Sequence, residues 1–399
     1  MSNVPSIENV DVAGKTVLVR ADLNVPMDNG QVTDTVRIDR FAPTAIHLAD
    51  KGARVVIISH FGRPKGVRTP AMSLEPVAKA LAKSLGRKVG FVEECVGEVA
   101  EKAVWAMQDG DIIMMENLRF HADETDNSDS FAQRLGVFSD LYVNDAFSCS
   151  HRAHASTHAI TKVVPSYAGL SLKKELDALD AVLGTPKRPI AALVGGAKVS
   201  SKITVLEALI PSMDAIIVGG GMANTFLLAK GHPVGKSLAE PDYVKTANQI
   251  MTVAAANNCE IVLPVDVVVA QEFAAGAENQ TLPVGQDPGE GMILDVGAES
   301  ITDLTSRLGK LETLLWNGPM GAFEMDPFGA GTFAVANAAA DLTKQGKLIT
   351  VAGGGDTVAA LNQAGVSDDF SYISTAGGAF LEWLEGKELP GVAALTKQN

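Results

Sequence analysis

Arg37, Arg63, Arg119 and Arg152 each come shortly after a run of apolar residues, and each has polar neighbours. The segments are Arg20-Ala-Asp22-Leu23-Asn24, Ser59-His60-Phe61-Gly62-Arg63-Pro-Lys65, Glu116-Asn117-Leu-Arg119-Phe-His121 and Asn144-Asp145-Ala-Phe-Ser-Cys-Ser-His151-Arg152-Ala-His154. His232 alone among the histidines lies beyond residue 160. Guanidinium forks and imidazoles gathered in this way suit a small, multiply anionic molecule. Asp22 and Asn24 add groups that can exchange hydrogen bonds with a substrate hydroxyl. Arg40 and Lys65, taken singly, read as surface ion pairs.

The second half carries glycine at the corresponding places. The segments are Gly195-Gly196-Ala-Lys198-Val-Ser-Ser-Lys202, Gly219-Gly220-Gly221, Asn317-Gly318-Pro319-Met-Gly321-Ala-Phe-Glu324 and Gly353-Gly354-Gly355-Asp356-Thr357. A strand that stops at glycines and restarts as a helix from Thr357 presents backbone N–H groups to an anion, phosphate above all. Asp356 adds a carboxylate for a Mg²⁺ that accompanies the phosphate. In isolation the same turn is equally a tight bend with Asp356 as an N-cap. Four such glycine-bearing segments together point to a backbone-lined nucleotide pocket. Lys198 and Lys202 are four apart, which predicts one helix face beside that phosphate.

The elements that must position these groups alternate along the chain. Short apolar runs include Thr16–Val19, Val55–Ile58, Ile112–Met115, Leu141–Val143, Ile190–Val194, Ala215–Val218, part of Ile261–Val269, Leu314–Trp316 and Leu348–Val351. Helix-period stretches lie between them: Leu74–Leu85, Leu172–Leu183, Val205–Leu209, Val244–Ala256 and Ile301–Leu311. Leu172, Leu176, Leu179 and Leu183 recur at helical spacing. Strand–helix alternation over this length predicts α/β architecture with mostly parallel sheets. In such sheets ligands lie beyond the carboxyl ends of the strands. Both chemical sets fall there. The change from charged to glycine-rich strand ends, with Gly184-Thr-Pro-Lys-Arg-Pro189 between, places a domain boundary near residues 171–186.

The chain has 399 residues and a formal net charge of −14. That length predicts two domains. The negative charge argues against nucleic acid or an anionic membrane as partner. Cys95, Cys149 and Cys259 form no CxxC pair and read as free thiols in a reducing compartment, hence a cytoplasmic protein. Glu8 and Asp11 interrupt any early apolar region, so no signal peptide is expected, and no run is long enough for a membrane span. Gly235-Lys236-Ser237 fails as a P-loop because Lys230 occupies the first glycine position. His154 and His158 lack the glutamate of a zinc protease, and no nucleophile elbow is present.

Taken together, the motifs resemble the phosphoglycerate kinase family along essentially the whole chain. The segments already quoted carry the resemblance, with Leu381-Glu-Trp-Leu-Glu-Gly-Lys-Glu-Leu-Pro-Gly391 near the C-terminus. The resemblance implies two doubly wound, Rossmann-like parallel-sheet lobes joined by a helix and hinge. It implies a 3-phosphoglycerate domain over 1–170, a connector over 171–186, a nucleotide domain over 187–373, and a segment 374–399 returning to the first. The implied reaction is reversible transfer of the acyl phosphate of 1,3-bisphosphoglycerate to Mg-ADP, giving 3-phosphoglycerate and Mg-ATP, by a hinge-bending monomer acting only on small molecules. Substrate contacts are implied for Asp22, Leu23, Asn24, Arg37, His60, Phe61, Gly62, Arg63, Arg119 and Arg152. Nucleotide phosphates are implied for Lys198, Lys202, Gly354, Gly355 and Thr357, with Mg²⁺ on Asp356. Asn317, Pro319 and Glu324 are implied to line the nucleoside pocket, and Arg37, Lys198 and Lys202 to be catalytic. The chain departs from the family pattern at Ala376, Ser148 and Ile293, where glycine is common.

The chemistry agrees with an absence of any conspicuous acid–base pair. In the ATP-consuming direction the nucleophile is a carboxylate, already ionised at neutral pH. What remains is in-line alignment, charge neutralisation and exclusion of water by closing lobes. A phosphotransferase acting on another carboxylate would share these features. A catalytically silent nucleotide-binding scaffold predicts loss of Arg37, Lys202 or Asp356, and all three are present.

Overall fold

A computed structural model describes residues 4–397. Two compact units result, Met1–Asp177 with Glu388–Asn399, and Ala178–Lys387. The boundary falls inside the helix Leu170–Leu183. Its buried apolar positions are Leu172, Leu176, Leu179 and Val182, with Glu175 buried beside them; Leu183, expected to complete the stripe, is half-buried.

In the first unit the strands are β1 (Thr16–Ala21), β2 (Met27–Asp28), β3 (Gln31–Val32), β4 (Arg54–Ile58), β5 (Gly90–Val92), β6 (Ile112–Met115), β7 (Leu141–Asp145) and β8 (Ser166–Ala168). Six of them form a sheet in the order β5-β6-β4-β1-β7-β8, and β2 and β3 form a separate hairpin. Every pairing in the large sheet is parallel. Parallel strands covered on both faces need continuous apolar runs, and β1 is buried at all its positions. Val17, Val19, Val55, Ile57 and Val143 pack in one core with Ile38, Phe41 and Leu48 of the helix Val36–Asp50. The strand order reverses about β1, so the loops after β1, β4 and β7 flank the crevice where ligands lie in such sheets.

The second unit holds β9 (Ile190–Gly195), β10 (Ala215–Gly219), β11 (Glu260–Val262), β12 (Asp266–Ala270), β13 (Asn279–Pro283), β14 (Met292–Val296), β15 (Thr313–Asn317), β16 (Ile349–Gly353) and β17 (Tyr372–Ser374). Its main sheet runs β11-β10-β9-β15-β16-β17, again all parallel. The antiparallel sheet β13-β12-β14 has no counterpart in the sequence reading. Pro264, which cannot donate to a ladder, separates β11 from β12 within the single apolar run. In β13 only Leu282 is buried, so that strand has no apolar signature. The helix expected over Ile301–Leu311 starts and stops earlier, at Ala298–Leu308, bracketed by Gly297 and Gly309.

Candidate functional site

The first unit builds its polar cluster on a buried cation. Arg20, the penultimate residue of β1, has 0 % exposure. Its Nε donates to Ser156 Oγ at 2.8 Å, and its Nη2 donates to His60 Nδ1 at 3.0 Å. Ser156 is held in turn by the buried Glu124, with Oγ donating to Oε1 at 2.6 Å and the backbone N–H donating to Oε2 at 3.0 Å. A guanidinium can only donate, so His60 Nδ1 is the acceptor and the neutral ring carries its proton on Nε2. Burial, and then the charges of Arg20, Arg119 and Arg37, hold the His60 pKa well below its ordinary value. His60 is therefore a neutral hydrogen-bond donor inside a positive field.

Around this centre the strand-end loops fix one another. Arg37, in the first turn of the helix Val36–Asp50, donates to Asp22 Oδ2 at 2.6 Å. Leu23 is buried, and its N–H donates to Ser59 Oγ at 3.0 Å. Asn24 Oδ1 accepts from Gly62 N–H at 3.0 Å. Gly62 has φ +59°, and its carbonyl accepts from Arg119 Nη1 at 2.7 Å. Phe61 is clamped by Asn117, which accepts from its N–H at 3.1 Å and donates to its carbonyl at 2.8 Å. Burial and the Arg20 charge pull the Arg119 pKa down, with Arg152 a further positive neighbour. Arg152 is exposed. Arg63 is exposed as well, one residue beyond Gly62, and the structure ties it to none of the others. Arg40, on the helix of Arg37, is also exposed.

Much of the quoted sequence proves to be scaffold. Glu116 accepts from the N–H groups of Leu74 and Asn117 and from the Ser73 hydroxyl. Asn144 donates to the Gly391 carbonyl at 3.1 Å, and Asp145 Oδ1 accepts from Leu172 N–H at 2.9 Å. Ser148, at a departure from the family pattern, donates its hydroxyl to Asp22 Oδ2. Asp22 is thus shared between Arg37 and Ser148.

The second unit contains a cavity of about 520 Å³, within the usual range for a small-molecule site. Pro319 and Glu324 line it, as do Gly196, Gly220, Gly221, Gly321 and Asp356. Its other walls are largely apolar: Leu238, Val267, Phe273, Met292, Ile293 and Leu294. Leu238 and Phe273 are among the few large apolar side chains left exposed, at 51 % and 59 %. Asp295 also lines the cavity. Burial raises its carboxyl pKa to about 7, against the N–H groups of Gly331 and Val296 that donate to it.

Beside the cavity the fourth glycine segment, Gly353–Thr357, makes a tighter turn than the sequence reading allowed. β16 continues through Gly353, and the next helix starts at Gly355 rather than Thr357. Gly354, at φ +99°, is the N-cap, and no side chain caps this helix. Asp356 is therefore not the N-cap but an exposed first-turn residue. The three glycines have different causes. A Cβ on Gly353 would sit 2.6 Å from the Phe380 ring, and one on Gly354 would meet Asn317 Nδ2 at 2.6 Å. A Cβ on Gly355 would meet nothing within 4 Å. Thr357 is buried, its Oγ1 accepting from Gly318 N–H at 2.7 Å.

Lys202 is half-buried, and its ammonium donates to Asn317 Oδ1. Burial lowers its pKa, opposed by the charges of Asp356 and Glu385. Asn317 also donates to the Gly353 carbonyl at 2.7 Å. Being 3 % exposed, it bridges Lys202 to the glycine turn instead of lining the cavity. Lys198 and Lys202 do not share a helix face. Lys198 is extended and exposed, a 3-10 turn over Val199–Ser201 intervenes, and the helix begins at Ile203. Glu240 fixes that turn, accepting from Ser200 N–H at 2.8 Å and from Ser200 Oγ at 2.6 Å.

Sequence reasoning missed Arg20, Ser156, Glu124 and Glu240 as positioning groups, and Leu238, Phe273, Met292 and Asp295 as cavity walls. Only Arg20 carried a usable signal, a charged residue inside an otherwise apolar strand run. Ala376 causes no strain, because the positive φ of its turn, +49°, belongs to Gly377.

Comparison with known proteins accords with this arrangement. The family model described as phosphoglycerate kinase matches residues 7–387. The chain is 57 % identical over 386 residues to a phosphoglycerate kinase of Methylorubrum extorquens, covering 97 % of this chain and 96 % of the relative. It is 56 % identical to that of Agrobacterium fabrum, with the same coverage. Among solved structures, the phosphoglycerate kinase of Coxiella burnetii matches with a TM-score of 0.92 at 41 % identity, covering 98 % of both chains. The Pyrococcus horikoshii enzyme matches with a TM-score of 0.80 at 31 % identity, again covering 98 % of both. With two parallel-sheet units, an arginine cluster around a neutral histidine and a largely apolar cavity beside an uncapped helix N-terminus, the chain belongs to the phosphoglycerate kinase family, whose reaction is reversible phosphoryl transfer between 1,3-bisphosphoglycerate with ADP and 3-phosphoglycerate with ATP.

Proposed function

We propose that the first unit of this chain holds the phosphoglycerate and the second holds the nucleotide. Arg63, Arg119 and Arg152 supply guanidinium forks for phosphate and carboxylate oxygens. His60 adds its Nε2 proton, and Asp22 and Asn24 face the substrate hydroxyl, with Leu23, Phe61 and Gly62 shaping the loops between. The Arg20–Ser156–Glu124 network keeps His60 neutral and oriented. In the second unit the nucleoside occupies the cavity, Glu324 facing the ribose. The phosphates meet the N–H groups of Gly355, Asp356 and Thr357 and the ammonium of Lys202, with Lys198 reaching in from the exposed side.

The observation that carries the nucleotide assignment is the turn itself: an uncapped helix N-terminus, a glycine with open space at its Cβ position, and a half-buried lysine on the same asparagine. The donor set there also fits the Mg²⁺ that accompanies the nucleotide. Asp356 is an exposed carboxylate whose charge is felt by Lys202, and hard cations take carboxylate oxygen. When bound, the ion neutralises phosphate charge. Asp356 would hold it, and Lys202 and the helix N-terminus act directly on the phosphate oxygens. Arg37 and Lys202 neutralise the charge that spreads over the transferring group, the electrostatic work this reaction class asks of a protein. The nucleophile is a substrate carboxylate, so no residue serves as a general base.

The buried free thiols Cys95, Cys149 and Cys259 support a reducing, cytoplasmic setting. Among the described residues no helix is long and apolar enough to cross a membrane. The working form is then a monomer acting on small molecules.

Gly355→Ala tests the phosphate seat. With nothing within 4 Å of the added Cβ and no positive φ at this position, stability should change by less than about 0.5 kcal/mol. Mg-ADP affinity, measured by calorimetry, should fall about tenfold, or about 1.4 kcal/mol, because the methyl group occupies the anion's approach. Unchanged affinity in the folded variant would remove the phosphates from this turn.

A further inference from the structure

We propose that Glu94, Cys95 and His121 form a site for one divalent ion of the zinc class, apart from the substrate and nucleotide residues above. His121 Nε2 lies 2.7 Å from Glu94 Oε1. Cys95 Sγ completes the set, with one donor atom from each residue lying within 4.8 Å of the others. Thiolate sulfur, imidazole nitrogen and carboxylate oxygen are the donors zinc takes. The topology brings them together: Glu94 and Cys95 follow β5, His121 follows the turn Leu118–Phe120 after β6, and these strands are parallel neighbours.

The Glu94 carboxylate and the His121 ring are already oriented. Cys95 N–H donates to Glu94 Oε1 at 2.8 Å, and Arg68 Nη2 takes the other oxygen, Oε2, at 3.4 Å. Oε1 therefore faces His121. The Phe131 ring packs on the His121 ring at 5.1 Å between centroids. Such outer contacts orient metal ligands. Cys95 has 0 % exposure, whereas the Glu94 and His121 side chains are 29 % and 23 % exposed. Sulfur thus forms the inner wall, and a fourth position stays open to water, the arrangement of a three-ligand zinc site.

The charges close as well. A divalent cation with one thiolate, one carboxylate and a neutral imidazole sums to zero, and the neighbouring charges are of both signs, the half-exposed Arg68 beside Glu94 and the buried Glu124 carboxylate near Cys95. On binding, the Cys95 S–H bond is replaced by a sulfur–metal bond, and the proton passes to solvent. Asp22, His60 and Cys149 also lie within 4.8 Å of one another, but Arg20 already occupies His60 Nδ1 and Arg37 pairs with Asp22, so that trio repels a cation.

The test uses the full chain, stripped with a chelator and titrated with Zn²⁺ alone against a chromophoric competitor. Co²⁺ titration follows, read by thiolate-to-cobalt charge-transfer absorption. One equivalent should bind, and both Cys95→Ser and His121→Gln should weaken it by at least tenfold, on the order of 100-fold. Cys95→Ser should also abolish the charge-transfer band, while Cys259→Ser leaves affinity and band unchanged. The part-exposed His121→Gln variant decides the matter if Cys95→Ser fails to fold. No stoichiometric binding, or binding that His121→Gln leaves unchanged, would overturn the site.

Discussion

Arg37→Ala should lower turnover by about 10²–10³-fold while leaving Mg-ADP affinity nearly unchanged. The side chain is 35 % exposed and its ion pair with Asp22 is part-buried, so its removal costs the fold little. Asp22 also keeps a partner, because Ser148 donates to the same oxygen. In the proposed mechanism, what the variant loses is a guanidinium directed at charge that builds during transfer. Loss of an interaction made only then lowers kcat and kcat/KM together. The cavity proposed for the nucleotide is lined by residues of the other unit, so ADP binding should not register the change. Arg37→Lys should recover part of the rate, having the charge without the planar fork. Steady-state kinetics with calorimetry separates these quantities. Near-normal turnover in Arg37→Ala would take Arg37 out of the mechanism.

Glu124→Ala should destabilise the first unit by about 3–5 kcal/mol. Glu124 and Arg20 are both 0 % exposed, and Ser156 bridges them. Removing the carboxylate takes from the buried guanidinium its buried counter-charge, leaving the part-buried Asp22, and frees the Ser156 N–H and hydroxyl at once. Tyr142, whose hydroxyl donates to the Ser156 carbonyl at 2.6 Å, loses its register too. Glu124→Gln keeps an acceptor for Ser156 but not the charge, and should fall between wild type and alanine. Urea denaturation measures the series. A loss below about 1 kcal/mol in Glu124→Ala would show that Arg20 is neutralised elsewhere.

The two large sheets were legible because parallel strands advertise themselves: β1, β4, β7, β9, β15 and β16 are buried almost throughout, and each reads as an apolar run. Their carboxyl ends then locate both polar sets. The support beneath those sets was not legible. Arg20 meets Ser156 across 136 residues, and Ser156 meets Glu124 across 32, so no local pattern announces the network. The four-residue spacing of Lys198 and Lys202 misled because helical periodicity presumes a helix, whereas Glu240 stabilises a 3-10 turn between them. The resemblance implies Asn317 in the nucleoside pocket. Its burial and its two partners make it the bridge that seats Lys202 on the glycine turn. The cavity walls Leu238 and Phe273 lie outside helices and strands, where hydrophobic period carries no information.

The most direct measurement is a coupled steady-state assay of the full chain with 3-phosphoglycerate and Mg-ATP. The account predicts saturable turnover that requires both substrates and Mg²⁺ and that Arg37→Ala nearly abolishes. Folded protein that binds Mg-ADP yet turns over neither substrate would contradict it.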